Sequence, residues 1–164
     1  MLNRRSFCLA LAFTAAPQVL AAACTPLLPQ LSLCDASGWR LDRIEDNIRY
    51  LSHDSGVTAT VRLATGLSED QIAGERWMIS HAPISARAEV LATDLFQVGT
   101  QYGSTVAYLP RHADPAIVVV LSDIIGRDFA LVITTQETGV NTYTDAHKTA
   151  HDRLLAALQL DLPE

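Results

Sequence analysis

The segment DAHKTAHD sets His147 and His151 four residues apart. Four residues make about one helical turn, so on a helix both imidazoles share a face and could hold one divalent metal. With about 100° per residue and His147 as origin, His151 falls at about 40°, Leu154 at about −20° and Leu158 at about 20°. The histidines therefore continue a leucine stripe. Asp145 and Asp152 fall at about 160° and 140°, on the opposite side, and cannot join them around one ion. A third ligand has to come from elsewhere, with His53, His81 and His112 as candidates. The same apolar stripe also suits half-buried imidazoles hydrogen-bonded to backbone or to a neighbouring strand. Lys148 stands where a zinc protease motif carries its catalytic Glu, so hydrolysis of that type is not supported.

Other catalytic constellations are missing. There is no Gly-x-Ser-x-Gly elbow, no phosphate-binding glycine loop and no dinucleotide fingerprint. Asp123 and Asp128 flank the turn DIIGRD and could bracket a substrate as paired carboxylates or simply be solvated turn acids. Trp39 and Trp77 read as core or core-edge aromatics, with an exposed stacking surface as the alternative.

These residues need elements to position them. Residues 24–37, opening with CTPLLPQLSL, show no helix or strand period and read as an extended lead-in. Then Trp39 and Leu41, Ile48 and Tyr50, and Val57, Ala59, Val61 and Leu63 recur at spacing two, with HDSG as a turn between the last two runs. That pattern predicts a three-strand meander. A helix from Asp42 to Leu51 is the rival, because Ile44, Ile48 and Leu51 also fit helical spacing. Ser68 and Gln71 form a capping box, and the apolar pattern predicts a helix from Glu69 to His81 that Pro83 stops. LFQVGTQYGSTVAYL predicts a hairpin turning at Tyr102-Gly103-Ser104, AIVVVLS a strand buried on both faces, and FALVITT its neighbour. A final helix runs from Thr144 to Leu158. The expected fold class is α+β, an antiparallel sheet of about six to seven strands with two main helices in one domain, residues 38–164.

The N-terminus carries the address. Residues 1–23 read as a signal peptide: Arg4 and Arg5, an apolar stretch from Phe7 to Ala16, then Ala21-Ala22-Ala23 as the cleavage site, with Ala21 and Ala23 at its small positions. Asn3-Arg4-Arg5-Ser6-Phe7-Cys8-Leu9 resembles the bacterial twin-arginine signal, which implies export of an already folded protein. An ordinary secretory signal is the alternative, and export to the periplasm follows from either. Cys24 then becomes the first mature residue. A disulfide from Cys24 to Cys34 suits an oxidising compartment. A lipid anchor on Cys24 is the competing use, and the two exclude each other.

Removing 23 of the 164 residues leaves 141, enough for one domain, with 10 basic against 18 acidic residues and a net charge of −8. Such a surface repels nucleic acid and anionic lipid. The longest apolar run after the signal, Ala116 to Leu121, is far short of the roughly 20 residues of a spanning helix.

Gly38-Trp39, the Val98-Gly99…Gly103…Val106-Ala107-Tyr108 hairpin and the closing YTDAHKTAHDRLLAALQL helix together resemble the PsbP-like family. That family includes photosystem accessory proteins and bacterial exported relatives of the DcrB type. The resemblance covers most of residues 35–160 and implies a binding or assembly role without catalysis. The expectation is therefore a non-catalytic periplasmic binding or accessory protein with an unknown protein partner or small ligand and no cofactor. The alternative is a periplasmic metal-binding or metal-delivery protein using His147 and His151.

Overall fold

The alternating apolar runs become strands of one antiparallel sheet, and the two helical patterns cover its two faces. The structure, a computed structural model, describes residues 24–35 and 38–162. The export-signal positions Arg4, Arg5 and Phe7 and the cleavage positions Ala21 and Ala23 lie outside the described residues. In chain order the elements are β1 (Cys24–Leu28), β2 (Leu31–Cys34), β3 (Trp39–Glu45), β4 (Ile48–His53), β5 (Thr58–Thr65), α1 (Glu69–Ser85), β6 (Glu89–Val98), β7 (Gln101–Leu109), β8 (Ile117–Ile125), β9 (Phe129–Thr138), α2 (Asp145–Ala157) and β10 (Leu158–Leu160). The main sheet has seven strands in the order β3-β4-β5-β9-β8-β7-β6, and a small sheet has the order β1-β2-β10. Every pairing is antiparallel.

The meander over β3, β4 and β5 forms as its spacing-two pattern predicts, and no helix forms over residues 42–51. Ala59, Val61 and Leu63 of β5 point into the core while their neighbours do not. β8, apolar apart from Ser122 and Asp123, is covered on both faces. One face packs Ile124 with Leu131, Ile133, Leu154 and Leu155 under α2. The other packs Val119, Leu121 and Tyr108 against Ile79 and Ala82 of α1. Each fully buried leucine such as Leu131 or Leu154 stabilises the fold by roughly 2 kcal/mol.

Four details differ from the sequence pattern. The lead-in is a β-hairpin, not an extended cover. Pro26 is tolerated because β1 is an edge strand that pairs only with β2, where a missing backbone donor costs no ladder bond. Second, α1 runs through Pro83 to Ser85. A proline this close to a helix end removes a single bond of the last turn, and Ala86 N–H to the Ala82 carbonyl (3.1 Å) and Ala88 N–H to the Pro83 carbonyl (2.9 Å) close that turn. Third, the β6–β7 hairpin turns at Gly99-Thr100, between the paired Val98 and Gln101, with Gly99 at φ +59°. Gly103 instead sits inside β7, where a Cβ would run into the Asp123 carbonyl and the Phe96 ring. Fourth, the chain leaves α2 directly into β10, which joins the small sheet.

Cys24 and Cys34 face each other across β1 and β2 and form a disulfide. The bond occupies the Cys24 sulfur that a lipid anchor would need. On the other side of the sheet, α1 is pinned by a two-pronged ion pair from Arg62 to Glu75, at 2.9 and 2.7 Å. The Arg62 hydrogen bonds hold the Glu75 carboxyl below its usual range. No helix among the described residues is long and apolar enough to cross a membrane.

Candidate functional site

Two arrangements stand out, one on each face of the sheet. The first is built around the histidine pair. Thr144 caps α2, accepting the His147 backbone N–H at 3.0 Å and donating to Glu137 Oε2 at 2.7 Å. That cap fixes the first turn so that His147 and His151 point at β8 and β9, where they are 0 % and 1 % exposed. The strands answer with one hydroxyl each. Thr135 Oγ1 lies 2.9 Å from His147 Nε2 and 2.8 Å from His151 Nδ1. Ser122 Oγ lies 2.7 Å from His151 Nε2, and Thr105 Oγ1 lies 2.6 Å from Ser122 Oγ.

These contacts form one chain: Thr105, Ser122, His151, Thr135, His147. Its direction follows from its end. His147 Nδ1 is buried with no hydrogen-bond partner, and the nearest charge is Glu137 Oε2 at 3.6 Å. If Thr105 donates to Ser122, Ser122 to His151 Nε2, His151 Nδ1–H to Thr135 and Thr135 to His147 Nε2, then His147 carries its proton on Nδ1, facing the carboxylate. The reverse direction puts a lone pair against that carboxylate. The first direction is the one an ionised Glu137 favours.

Burial also sets the charge state. It pushes His151 down to about 4, reinforced by the neighbouring His147. Burial likewise lowers His147, with the Glu137 carboxylate pulling the other way. At neutral pH both imidazoles are uncharged and serve as hydrogen-bonding links between α2 and the sheet. The other sequence candidates do not gather around them. His53 packs on the Trp39 ring at 5.0 Å, and His81 stacks on Trp77 at 4.5 Å. His112 lies in the turn after β7. Among the described residues no three His, Cys, Asp or Glu side chains are placed to hold a metal.

The second arrangement is a cleft of about 760 Å³ between α1 and the β6–β8 end of the sheet. α1 lies over β8 and β9, which leaves β6 and part of β7 bare on that face. Ile79, Pro83 and Ile84 form one wall, and Val90, Leu95 and Val106 form the other. Ile84 is 68 % and Leu95 78 % exposed, large values for apolar side chains. The polar groups are few. Asp123 accepts the Ser104 hydroxyl at 2.7 Å, and burial raises its carboxyl above the usual range. Arg76 stands at the rim and makes no ion pair among the described residues.

Asp123 and Asp128 therefore serve different places. Asp123 lines this cleft, whereas Asp128 lines another depression beside Gly126 and Phe129. Trp39 is buried and donates Nε1–H to the Ala150 carbonyl at 2.9 Å. Trp77 is 60 % exposed, which corrects the core reading for that residue. The sequence reading missed Ser122, Thr135 and Glu137. The signal was there: Val118, Val120, Ser122 and Ile124, and Phe129, Leu131, Ile133 and Thr135, are single-face stripes with one hydroxyl each.

An antiparallel seven-stranded sheet with a helix on each face defines an α+β protein. The chain matches no family model and no curated protein. Among solved structures it is similar to the cyanobacterial PsbP protein CyanoP of Synechocystis sp. PCC 6803, with a TM-score of 0.53 and 12 % identity over 90 % of this chain and 97 % of that one. It is also similar to a crystal structure from Bacteroides thetaiotaomicron VPI-5482, with a TM-score of 0.52 and 9 % identity over 81 % of this chain. The match spans less than half of that longer chain, 46 %. The fold is PsbP-like.

Proposed function

We propose that this is a non-catalytic binding or accessory protein of the bacterial periplasm, and that it binds through the cleft between α1 and β6–β8. The carrying observation is the cleft itself. It is about 760 Å³, within the size range of ligand sites, with apolar walls and few polar groups, the usual composition of such sites. The disulfide between Cys24 and Cys34 supports an oxidising compartment. The histidine chain supports the non-catalytic part: apart from His147 Nδ1, its hydroxyls and ring nitrogens are spent on one another, and Ser122, His147 and His151 are buried.

A fluorescent anilinonaphthalene sulfonate probe tests the reading. The wild type should bind it at one dominant site. Ile84→Asp with Leu95→Asp, both at exposed positions, should weaken binding by about tenfold, the loss of roughly 1.4 kcal/mol of apolar contact. Ile44→Asp, on the far edge strand β3, should change nothing. Equal binding by the double variant contradicts the assignment of the cleft. Turnover that survives purification and disappears with one point mutation contradicts the absence of catalysis.

A further inference from the structure

The cleft continues onto an open strand edge. β6 is the last strand of the seven and pairs only with β7, so no strand of that sheet covers its outer edge; the Leu95 N–H is held locally by Asp94 Oδ1 at 2.8 Å. The two edges of the sheet are guarded differently. β3 carries Arg40, Asp42, Arg43 and Glu45 within seven residues, tied by Arg40–Asp54 and Arg43–Glu45 ion pairs. Such charges discourage another strand from pairing. β6 is ten residues long with only Glu89 and Asp94 charged, and its Val90 and Leu95 are exposed.

The register shows what each face of an added strand would meet. Val90, Thr93 and Leu95 pair with Tyr108, Val106 and Ser104 and so face α1 and the cleft. Asp94 pairs with Thr105 and faces the α2 side. It has no ion-pair partner among the described residues. The two faces therefore ask for opposite chemistry.

Resting on the cleft reading above, we propose that the outer edge of β6 takes up an extended segment of a partner protein as an additional antiparallel or parallel strand. Alternate residues of that segment are apolar and enter the cleft between Ile84, Val90 and Leu95; the intervening ones include a basic residue that stands beside Asp94. Main-chain bonds along β6 supply the affinity, and the period-two alternation supplies the specificity. The acidic balance of the chain, 18 acidic against 12 basic residues, favours the same sign of partner.

The test uses a synthetic peptide of alternating valine and lysine, about ten residues long to match β6, with a block peptide of the same composition as control. Residue-resolved amide exchange should show new protection within Glu89–Val98 for the alternating peptide only. Leu95→Lys should weaken it by about tenfold, and Ile44→Lys on the opposite edge should leave it unchanged. Equal binding of the block peptide, or protection that avoids β6, overturns strand addition. If the naphthalene sulfonate probe still enters the cleft, only strand addition has failed. If the probe also fails, the cleft reading falls with it.

Discussion

Acid should loosen this protein through His151. Folded, its imidazole is pushed down to about 4 by burial beside His147, against an unfolded value of 6.5. As pH falls below 6.5 the unfolded chain takes up this proton while the folded chain does not. Stability is therefore whole above 6.5, declines as pH falls toward 4, and levels off once both states are protonated. The full difference is about 3 kcal/mol, at roughly 1.4 kcal/mol per pH unit. Between about pH 7 and pH 4.5 the loss from His151 alone is about 2 kcal/mol, a substantial part of a typical domain stability of about 5 to 15 kcal/mol. His147, lowered for the same first reason, adds in the same direction. Urea unfolding of wild type and His151→Gln at both pH values isolates the effect. The glutamine amide can still meet Ser122 and Thr135 but takes no proton, and the shifts of Glu75 and Asp123 are common to both proteins. The variant should lose about 2 kcal/mol less than the wild type on acidification. Equal losses would refute the buried, neutral assignment of His151.

Three further outcomes follow from the packing. Gly103→Ala should lower stability by roughly 1 to 3 kcal/mol in thermal unfolding, because its methyl meets the Asp123 carbonyl and the Phe96 ring. Reducing the Cys24–Cys34 bond, or replacing both cysteines by serine, removes a loop constraint over a separation of 10 residues and should cost about 2 to 3 kcal/mol, with intact mass reporting the bond directly. Nitrogen-15 shifts of the imidazoles should show the proton on Nδ1 in both His147 and His151 at neutral pH; a proton on Nε2 of His147 would mean that the chain of donors runs the other way.

Much of this fold was legible because its periods are clean. The meander stands on spacing two in Val57, Ala59, Val61 and Leu63, and α2 on its apolar stripe. What sequence patterns missed depends on long-range partners. The lead-in forms a hairpin because β10, more than 120 residues later, supplies a strand on the other side of β2, as in Leu158 pairing with Leu33. Gly103 looks like a turn glycine in the sequence, yet it is required by the close approach of β8 and Phe96. The histidine pair was visible at once, but its use was not. Two imidazoles on a leucine stripe gain a definite role only when Ser122 and Thr135 are seen to face them. The cleft was not legible at all, since it exists only because α1 covers β8 and β9 and stops short of β6.

The most direct test of the account is methyl-resolved NMR during titration with the naphthalene sulfonate probe. The methyl groups of Ile79, Ile84, Val90, Leu95 and Val106, which line the cleft, should shift together with one saturation curve, while Leu154 in the α2 core and Ile44 on the far edge stay still. Shifts centred instead on Leu155 and Ala107, in the smaller cavity beside α2, or spread without a common curve, would contradict binding between α1 and the β6–β8 end of the sheet.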